Sequence, residues 1–193
     1  MPEHARDPRP PAGPRAGAGP LRVPPVEEWD SWPFAGPVVP KALRPPESEP
    51  DRHGEGARPC NVCSEADEAY AWTDANWRLR AMPPNGLPLV LLLEPRLHVD
   101  GPSDLPGRLL AEMGVLLARV ERAMLAVPGI ERVHLLRIGE GTAHLHWWCM
   151  GRPTGLRQVA SGFAQIWDDV LPVTPADVHA ANVAAAVAAL NAG

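Results

Sequence analysis

The chain has 193 residues, of which 45% are hydrophobic and 21% charged, a balance that suits a soluble domain with a core. Its 18 basic and 23 acidic residues give a net charge of −5, so no overall positive field would attract nucleic acid. No stretch approaches the roughly 18 to 20 apolar residues of a membrane span, and the N-terminus lacks the pattern of a signal peptide. We therefore expect a cytoplasmic enzyme or binding protein with neither a membrane nor a nucleic acid as its partner.

Proline is concentrated in the first third of the chain, since fifteen of the 25 prolines precede Cys60. Proline interrupts helices and cannot donate a hydrogen bond to a sheet, so residues 1–58 are predicted to be a largely disordered tail. Residues 59–193 are predicted to be the folded domain. Residues 26–34 hold three of the ten aromatic side chains. They are interpreted either as an anchor that packs on the domain or on a partner chain, or as an incidental part of the tail.

The first two elements of the domain are a strand and a long helix. Residues 89–94 form a continuous apolar run between prolines, which predicts a buried strand. A helix is predicted to open at residues 102–104, where Ser103 or Asp104 can cap it. Apolar residues then recur at helical spacing until Pro128 and Gly129 end the helix.

Two strand-like runs follow, at residues 130–138 and 143–150. The short glycine-bearing stretch between them predicts a tight β-hairpin. A last, alanine-rich helix is predicted at about residues 175–190, and a weaker one at about 158–168. Strands, one long helix and then a hairpin indicate an α+β fold and not alternating βαβ units.

The sequence Cys60-Asn61-Val62-Cys63 is a CxxC motif. On its own it is compatible with half of a zinc site, a redox pair or a chance occurrence. A redox motif is expected at a strand-to-helix turn of a thioredoxin-like unit, and no such pattern surrounds it. A zinc site needs two further ligands, and the candidate histidines are His98, His134, His144 and His146.

A second motif has two histidines on alternating positions, in the sequence His144-Leu145-His146-Trp147-Trp148. Side chains alternate along a strand, so His144, His146 and Trp148 are expected on one face. Two imidazoles so placed can be metal ligands, a nucleophile with its support, or ordinary polar surface. Large aromatic side chains beside polar groups are typical of a ligand pocket.

The segment 144–152, HLHWWCMGR, resembles the signature of the histidine triad (HIT) superfamily, in which histidine alternates with apolar residues. Upstream, the CxxC stands where many HIT proteins carry one, and residues 94–98, EPRLH, resemble the turn that follows a strand in that family. The resemblance covers about residues 60–172. It implies a HIT-like antiparallel sheet with a long helix packed on it, behind the Pro-rich tail.

The resemblance also implies a structural Zn²⁺ ion, as in zinc-bearing HIT proteins and galactose-1-phosphate uridylyltransferase. Its implied ligands are Cys60, Cys63, His98 and His144. Two thiolates and two neutral imidazoles complete a closed tetrahedral shell, so this metal would hold the CxxC segment on the sheet and not activate water. The alternative is a CxxC without metal and a His98 that merely lies on a turn.

His146 matches the central histidine of the family, which implies a nucleophile that attacks the α-phosphorus of a nucleotide derivative. The implied product of this attack is a nucleotidyl-histidine. The implied substrate-binding residues are Thr142, Trp148 and Arg152. The implied partners are a nucleotide or nucleoside phosphate derivative and, in a homodimer, a second copy of the chain.

The motif departs from the family where the third histidine is replaced by Trp148, whose indole donates one hydrogen bond but cannot shuttle a proton. Glu140 also stands near the position of a family amide side chain, and a carboxylate repels phosphate. The first hypothesis is therefore a nucleotidyl hydrolase or transferase that acts through His146. The second is an inactive, zinc-stabilised nucleotide-binding or interaction module, and the third is a zinc-dependent interaction domain unrelated to nucleotides.

Overall fold

The computed structural model describes residues 28–36, 39, 41–159 and 161–192. One five-stranded antiparallel sheet has the strand order β1-β2-β3-β5-β4. Its strands are β1 (Trp72–Thr73), β2 (Trp77–Ala81), β3 (Val90–Pro95), β4 (Ile130–Leu136) and β5 (Trp147–Pro153). The helices are α1 (Asn61–Ser64), α2 (Gly107–Leu125), α3 (Ala164–Val170) and α4 (Ala176–Ala192). The predicted α+β class is confirmed.

The core lies between one face of the sheet and α2, which in turn packs against α4. Strand β3 occupies the centre of the sheet and all six of its residues are buried, which fits the apolar residues 90–93; the one charged residue of the strand, Glu94, is paired with Arg80. Cys149 on β5 is fully buried in this core and so points away from the opposite face of the sheet. Within the described residues, no helix is both long and apolar enough to span a bilayer.

At one end of the opposite face of the sheet, a small buried cluster includes residues of α3, and residues 29–32 pack on α3 and on the turn before it. The Trp32 ring lies edge-on to Phe163, with centroids 5.2 Å apart. The indole of Trp167 donates a hydrogen bond to the Ser31 carbonyl at 2.8 Å. These contacts agree with the anchoring hypothesis for residues 26–34, of which 26 and 27 lie outside the described residues. The domain boundary at residue 58 stays a prediction.

The helix that was expected to open at residues 102–104 begins later. Pro102–Asp104 is a separate 3-10 turn, in which the Asp104 carboxylate accepts a hydrogen bond from the Gly101 amide. Pro106 then disfavours helical geometry in the residue before it, so α2 starts at Gly107. The stretch predicted at 158–168 is likewise divided, into two 3-10 turns and the short α3.

The tight hairpin predicted between residues 130–138 and 143–150 is wrong. Strand β4 does pair with β5, but the pairing ends at Leu136 and Trp148, so residues 137–146 form a long connection. This connection bonds to other parts of the chain, because the Leu145 amide donates to the Val99 carbonyl at 2.6 Å. His144 and His146 therefore lie just before β5 and not within it.

Replacing Asp168 on α3 by asparagine is expected to stabilise the protein above neutral pH. Burial raises the pKa of this carboxyl from 3.8 to about 6, and Asp169 adds to the rise. Since the folded state favours the protonated form, the penalty is absent below about pH 4 and complete above about pH 7. Because the carboxyl is partly exposed and solvent weakens the effect, we expect the free energy of unfolding to rise by about 1 kcal/mol at pH 8. Urea unfolding of the parent and the variant at pH 4 and pH 8 tests this. An equal gain in the free energy of unfolding at the two pH values would contradict it.

Candidate metal centre and adjoining cleft

The CxxC motif forms the start of α1. Cys60 is the N-cap residue, and its sulfur accepts a hydrogen bond from the Cys63 amide at 3.4 Å. The Val62 side chain, between the two cysteines, is buried, and its burial anchors the short helix on the domain. The turn of helix thereby places both sulfurs on the same side.

Two histidines from distant parts of the chain meet these sulfurs. His98 follows β3, and His144 belongs to the connection before β5. One donor atom from each of the four side chains lies within 4.8 Å of the others. The structure thus brings together Cys60, Cys63, His98 and His144, the ligand set that the resemblance implied.

The spacing of the donor atoms fits a tetrahedral zinc ion. Zn–S bonds of about 2.3 Å and Zn–N bonds of about 2.0 to 2.1 Å separate sulfur from nitrogen by about 3.5 Å in a tetrahedron. The Cys63 sulfur lies 3.4 Å from Nδ1 of His98 and 3.5 Å from Nδ1 of His144. The Cys60 sulfur lies 3.5 Å from Nδ1 of His144. Two soft sulfurs with two imidazole nitrogens also form a donor set that zinc prefers.

The backbone fixes the orientation of the His144 ring. Its Nε2 lies 2.8 Å from the Pro95 carbonyl, which can only accept, so the ring proton is on Nε2. Nδ1 is then unprotonated and faces the two sulfurs. Burial lowers the pKa of His144, which keeps the ring neutral and available as a ligand. A backbone partner of this kind is typical of metal-binding histidines.

The surroundings of the CxxC motif favour a metal site over a redox pair. Burial raises the pKa of the Cys63 thiol to about 11, and Cys60 adds to the rise. Two histidine nitrogens lie within 3.5 Å of the Cys63 sulfur, an arrangement that suits metal coordination and that a redox pair does not need.

His146 lies two residues beyond the buried His144 and has a free ring nitrogen. Its Nδ1 donates a hydrogen bond to the His144 carbonyl at 2.7 Å. The proton is therefore on Nδ1, and Nε2 retains its lone pair. The ring is half-buried and stands edge-on to Trp148, with centroids 6.3 Å apart.

His146 and Trp148 line a cleft of about 350 Å³ on the sheet face opposite α2. The apolar lining comes from five side chains: Val62, Met82, Leu92, Ile138 and Trp148. The charged lining comes from four: Glu65, Arg80, Glu94 and Glu140. A cleft with apolar walls and a few polar groups is the usual form of a small-molecule site.

Three of these charged residues, Arg80, Glu65 and Glu94, form a network that the sequence analysis missed. The Arg80 guanidinium contacts both glutamates, and it lies 3.3 Å from Glu94, a carboxylate that is only 2% exposed. It also donates to the Tyr70 hydroxyl at 2.7 Å. The alternation in Trp77-Arg78-Leu79-Arg80 could have indicated a strand with both arginines on one face.

The structure separates the three predicted substrate-binding residues. Thr142 and Trp148 line the cleft, and the Thr142 hydroxyl donates to the Asn61 side chain at 3.1 Å. Arg152 is not in the cleft lining. It is 8% exposed, and its guanidinium donates to the Leu156 carbonyl at 3.2 Å. This bond stabilises the turn after β5.

No protein-family model matches this sequence, and no curated protein matches it significantly. Solved structures do match it. A histidine triad protein from Marinobacter aquaeolei VT8 has a TM-score of 0.52 and 15% identity, over 64% of this chain and 88% of that one. A Zn-bound histidine triad family protein from Mycobacterium smegmatis has a TM-score of 0.49 and 15% identity, over 64% of this chain and 84% of that one.

A histidine triad protein from Bradyrhizobium japonicum is similar to the same extent, with a TM-score of 0.49 and 20% identity over 64% of this chain and 87% of that one. At such low identity it is the Marinobacter structure, with the higher TM-score, that establishes the fold. The five-stranded antiparallel sheet with helices packed on it matches the fold of that structure. This chain therefore has the fold of the histidine triad proteins.

Proposed function

We propose that this protein is a zinc-containing, HIT-like nucleotide-binding protein that hydrolyses or transfers a nucleotidyl group through His146. The observation that carries the proposal is the hydrogen bond from Nδ1 of His146 to the His144 carbonyl. This bond leaves the Nε2 lone pair as the nucleophile, inside a cleft of suitable size. The same backbone segment holds a proposed metal ligand, which supports a fixed position for His146.

In the proposed reaction the Nε2 lone pair forms a bond to the α-phosphorus of the substrate. The bond from phosphorus to the leaving group breaks, and the leaving group departs with its electron pair. Water or another acceptor then attacks the phosphorus and releases His146. The indole N–H of Trp148 is buried and has no hydrogen-bond partner among the described residues, and an indole cannot transfer a proton to the leaving group. We therefore expect a preference for leaving groups that depart as stable anions.

The proposed zinc ion is structural and takes no part in this reaction. Cys60, Cys63, His98 and His144 would fill all four positions of a tetrahedral shell, so no position is open for water or substrate. The ion would supply a rigid junction between α1, the turn after β3 and the segment before β5. Through His144 it would restrain the backbone two residues from His146.

An inactive nucleotide-binding or interaction module is the second candidate, and the charges of the cleft support it in so far as they count against phosphoryl chemistry beside His146. Three carboxylates line the cleft, those of Glu65, Glu94 and Glu140, against the single guanidinium of Arg80. That guanidinium is already paired with Glu65 and Glu94. A phosphate next to His146 would meet little free positive charge, which lowers the expected affinity for a polyanionic ligand.

Metal analysis and a nucleotide screen test these proposals on the parent protein. We expect about one zinc ion per chain after purification without added metal. We expect slow turnover of adenosine or guanosine phosphoramidates, whose amine leaving group needs a proton, and faster turnover of dinucleotides, whose leaving group departs as an anion. Nucleotide binding without turnover would favour the module, and absence of both would favour an interaction domain unrelated to nucleotides. Light scattering tests the homodimer that the resemblance implies.

A further inference from the structure

Residues 51–58, which precede the CxxC motif, are bound to the connection that carries the two histidines. The His53 amide donates to the Gly141 carbonyl at 3.2 Å, and the Ala143 amide donates to the His53 carbonyl at 2.8 Å. His53 and Thr142 thereby form an isolated parallel bridge. The segment 51–58 is thus an additional strand-like partner for a connection that is not paired with β4.

Arg52 ties this segment to two other parts of the chain. One guanidinium nitrogen donates to the Gly139 carbonyl at 2.6 Å and to Asp100 at 3.1 Å. The other terminal nitrogen donates to Asp100 at 2.7 Å and to Glu55 at 2.6 Å. Arg137, at the start of the connection, also donates to the Asp100 carbonyl at 2.7 Å. The planar guanidinium fork of Arg52 therefore joins three segments at once.

The segment also packs closely on one of the proposed metal ligands. Gly54 has a φ of +94°, which favours glycine, and a Cβ atom there would lie 2.9 Å from Cε1 of His98. The same Cβ would lie 3.2 Å from the Ala143 carbonyl oxygen. Only a residue without a side chain lets the segment approach His98 and the connection so closely.

We propose that Arg52 is a positioning residue that holds the connection 137–146, and with it His144 and His146, against the domain. The physical reason is the composition of the connection. Gly139 and Gly141 give it a flexible backbone, and β4 ends before it begins, so its order depends on bonds from outside. Arg52 supplies one such bond at Gly139, while His53 and Val99 bond the residues after it.

Amide hydrogen exchange measures this role directly and requires neither a metal nor a substrate. In Arg52→Ala we expect the amides of residues 139–146 to exchange at least about tenfold faster than in the parent protein. The matched control is Arg58→Ala. Arg58 lies in the same segment, but among the described residues its side chain hydrogen-bonds only to Asp51 and His53, so its loss should leave exchange in 139–146 unchanged.

Two further readouts concern the metal and the reaction, and these rest on the proposed function. We expect Arg52→Ala to release zinc to a chelator faster than Arg58→Ala, at an unchanged zinc content. We expect its kcat to fall about tenfold with little change in KM, because nucleophile position and not substrate affinity is lost. Arg52→Lys should restore little of this, since an ammonium group cannot copy the fork.

Equal exchange in residues 139–146 for the Arg52→Ala and Arg58→Ala variants would overturn the proposal. Should Arg52→Ala fail to fold, the exchange comparison is made with Arg52→Lys, where exchange as slow as in the parent protein would have the same meaning. A parent protein without turnover would refute the proposed catalysis, but the exchange result would still decide the role of Arg52. The two failures are therefore distinguishable.

Discussion

Replacement of Cys63 by serine is expected to remove the metal and to destabilise the protein strongly. A hydroxyl is a poor zinc ligand, so the zinc content should fall from about one per chain to less than about 0.1. Binding that is specific to the folded state stabilises it, by about 4 kcal/mol at a thousandfold excess over the dissociation constant. For a chain of this size the melting temperature should fall by roughly 10 °C or more. Elemental analysis and thermal denaturation measure both effects.

The control for this experiment is Cys149→Ala, which removes the third cysteine. Cys149 is fully buried in the core and lies outside the ligand group, so its loss should cost some packing but leave the zinc content unchanged. A Cys63→Ser protein that retained the parent's zinc content would show that the four side chains do not form the proposed centre. Equal zinc loss in both variants would point to an effect of general instability.

Replacement of His146 by alanine is expected to abolish turnover and to leave the metal in place. Loss of a nucleophile typically lowers kcat by at least about a thousandfold. The ring accepts no hydrogen bond from other described residues, and its own donor bond is local, to the His144 carbonyl. The melting temperature and the zinc content should therefore stay close to those of the parent. Steady-state kinetics on a nitrophenyl ester of a nucleoside monophosphate, whose leaving group departs as a stable anion, provides the measurement.

His146→Asn is the companion variant, because an amide keeps a polar group at this position without a nucleophilic ring nitrogen. Both variants should bind nucleotide with an affinity close to that of the parent, and neither should turn it over. Turnover by His146→Ala at the rate of the parent protein would refute the proposed nucleophile. The binding-module hypothesis would gain if the parent itself bound nucleotide without consuming it.

Trp148 stands where the resemblance leads one to expect a third histidine, and the structure shows what surrounds it. The indole packs against the residues that cover the end of the sheet near α3, and it also lines the cleft beside His146. Together with Glu94 and Glu140 it gives this cleft apolar and acidic walls. Under the proposed function, we therefore expect a substrate with a single ionised phosphate to bind better than a polyphosphate.

The sequence predicted the secondary structure well where one pattern dominated. The apolar residues 89–93, most of them on β3, and the helical spacing of α2 each specify an element that is buried against its neighbours. The secondary structure was predicted less well in segments whose backbone hydrogen bonds go to residues far away in the sequence. The connection 137–146 was mistaken for part of a hairpin because its amides bond to residues 53 and 99, which no local pattern reveals.

The candidate site shows the same division. The resemblance implied the two cysteines and two histidines as ligands, and it also implied Arg152 as a substrate-binding residue. In the structure Arg152 lies on β5, and its guanidinium bonds to the turn after that strand. Nothing in the sequence distinguishes Arg80 from Arg152, and only the tertiary structure shows that Arg80 pairs with a carboxylate. Arg80 meets Glu94 across the β2–β3 pair, and that pairing depends on the strand register.

The sequence by itself determined the α+β class, the buried central strand, the long helix and the residue types able to bind a metal. These follow from periodicities of a few residues and from the chemistry of single side chains. The tertiary structure alone decided that sulfurs near residue 60 meet a ring near residue 144, and that Arg52 reaches Gly139. Such contacts depend on how strands and helices pack, because residues more than 80 positions apart are brought together only by the core between them.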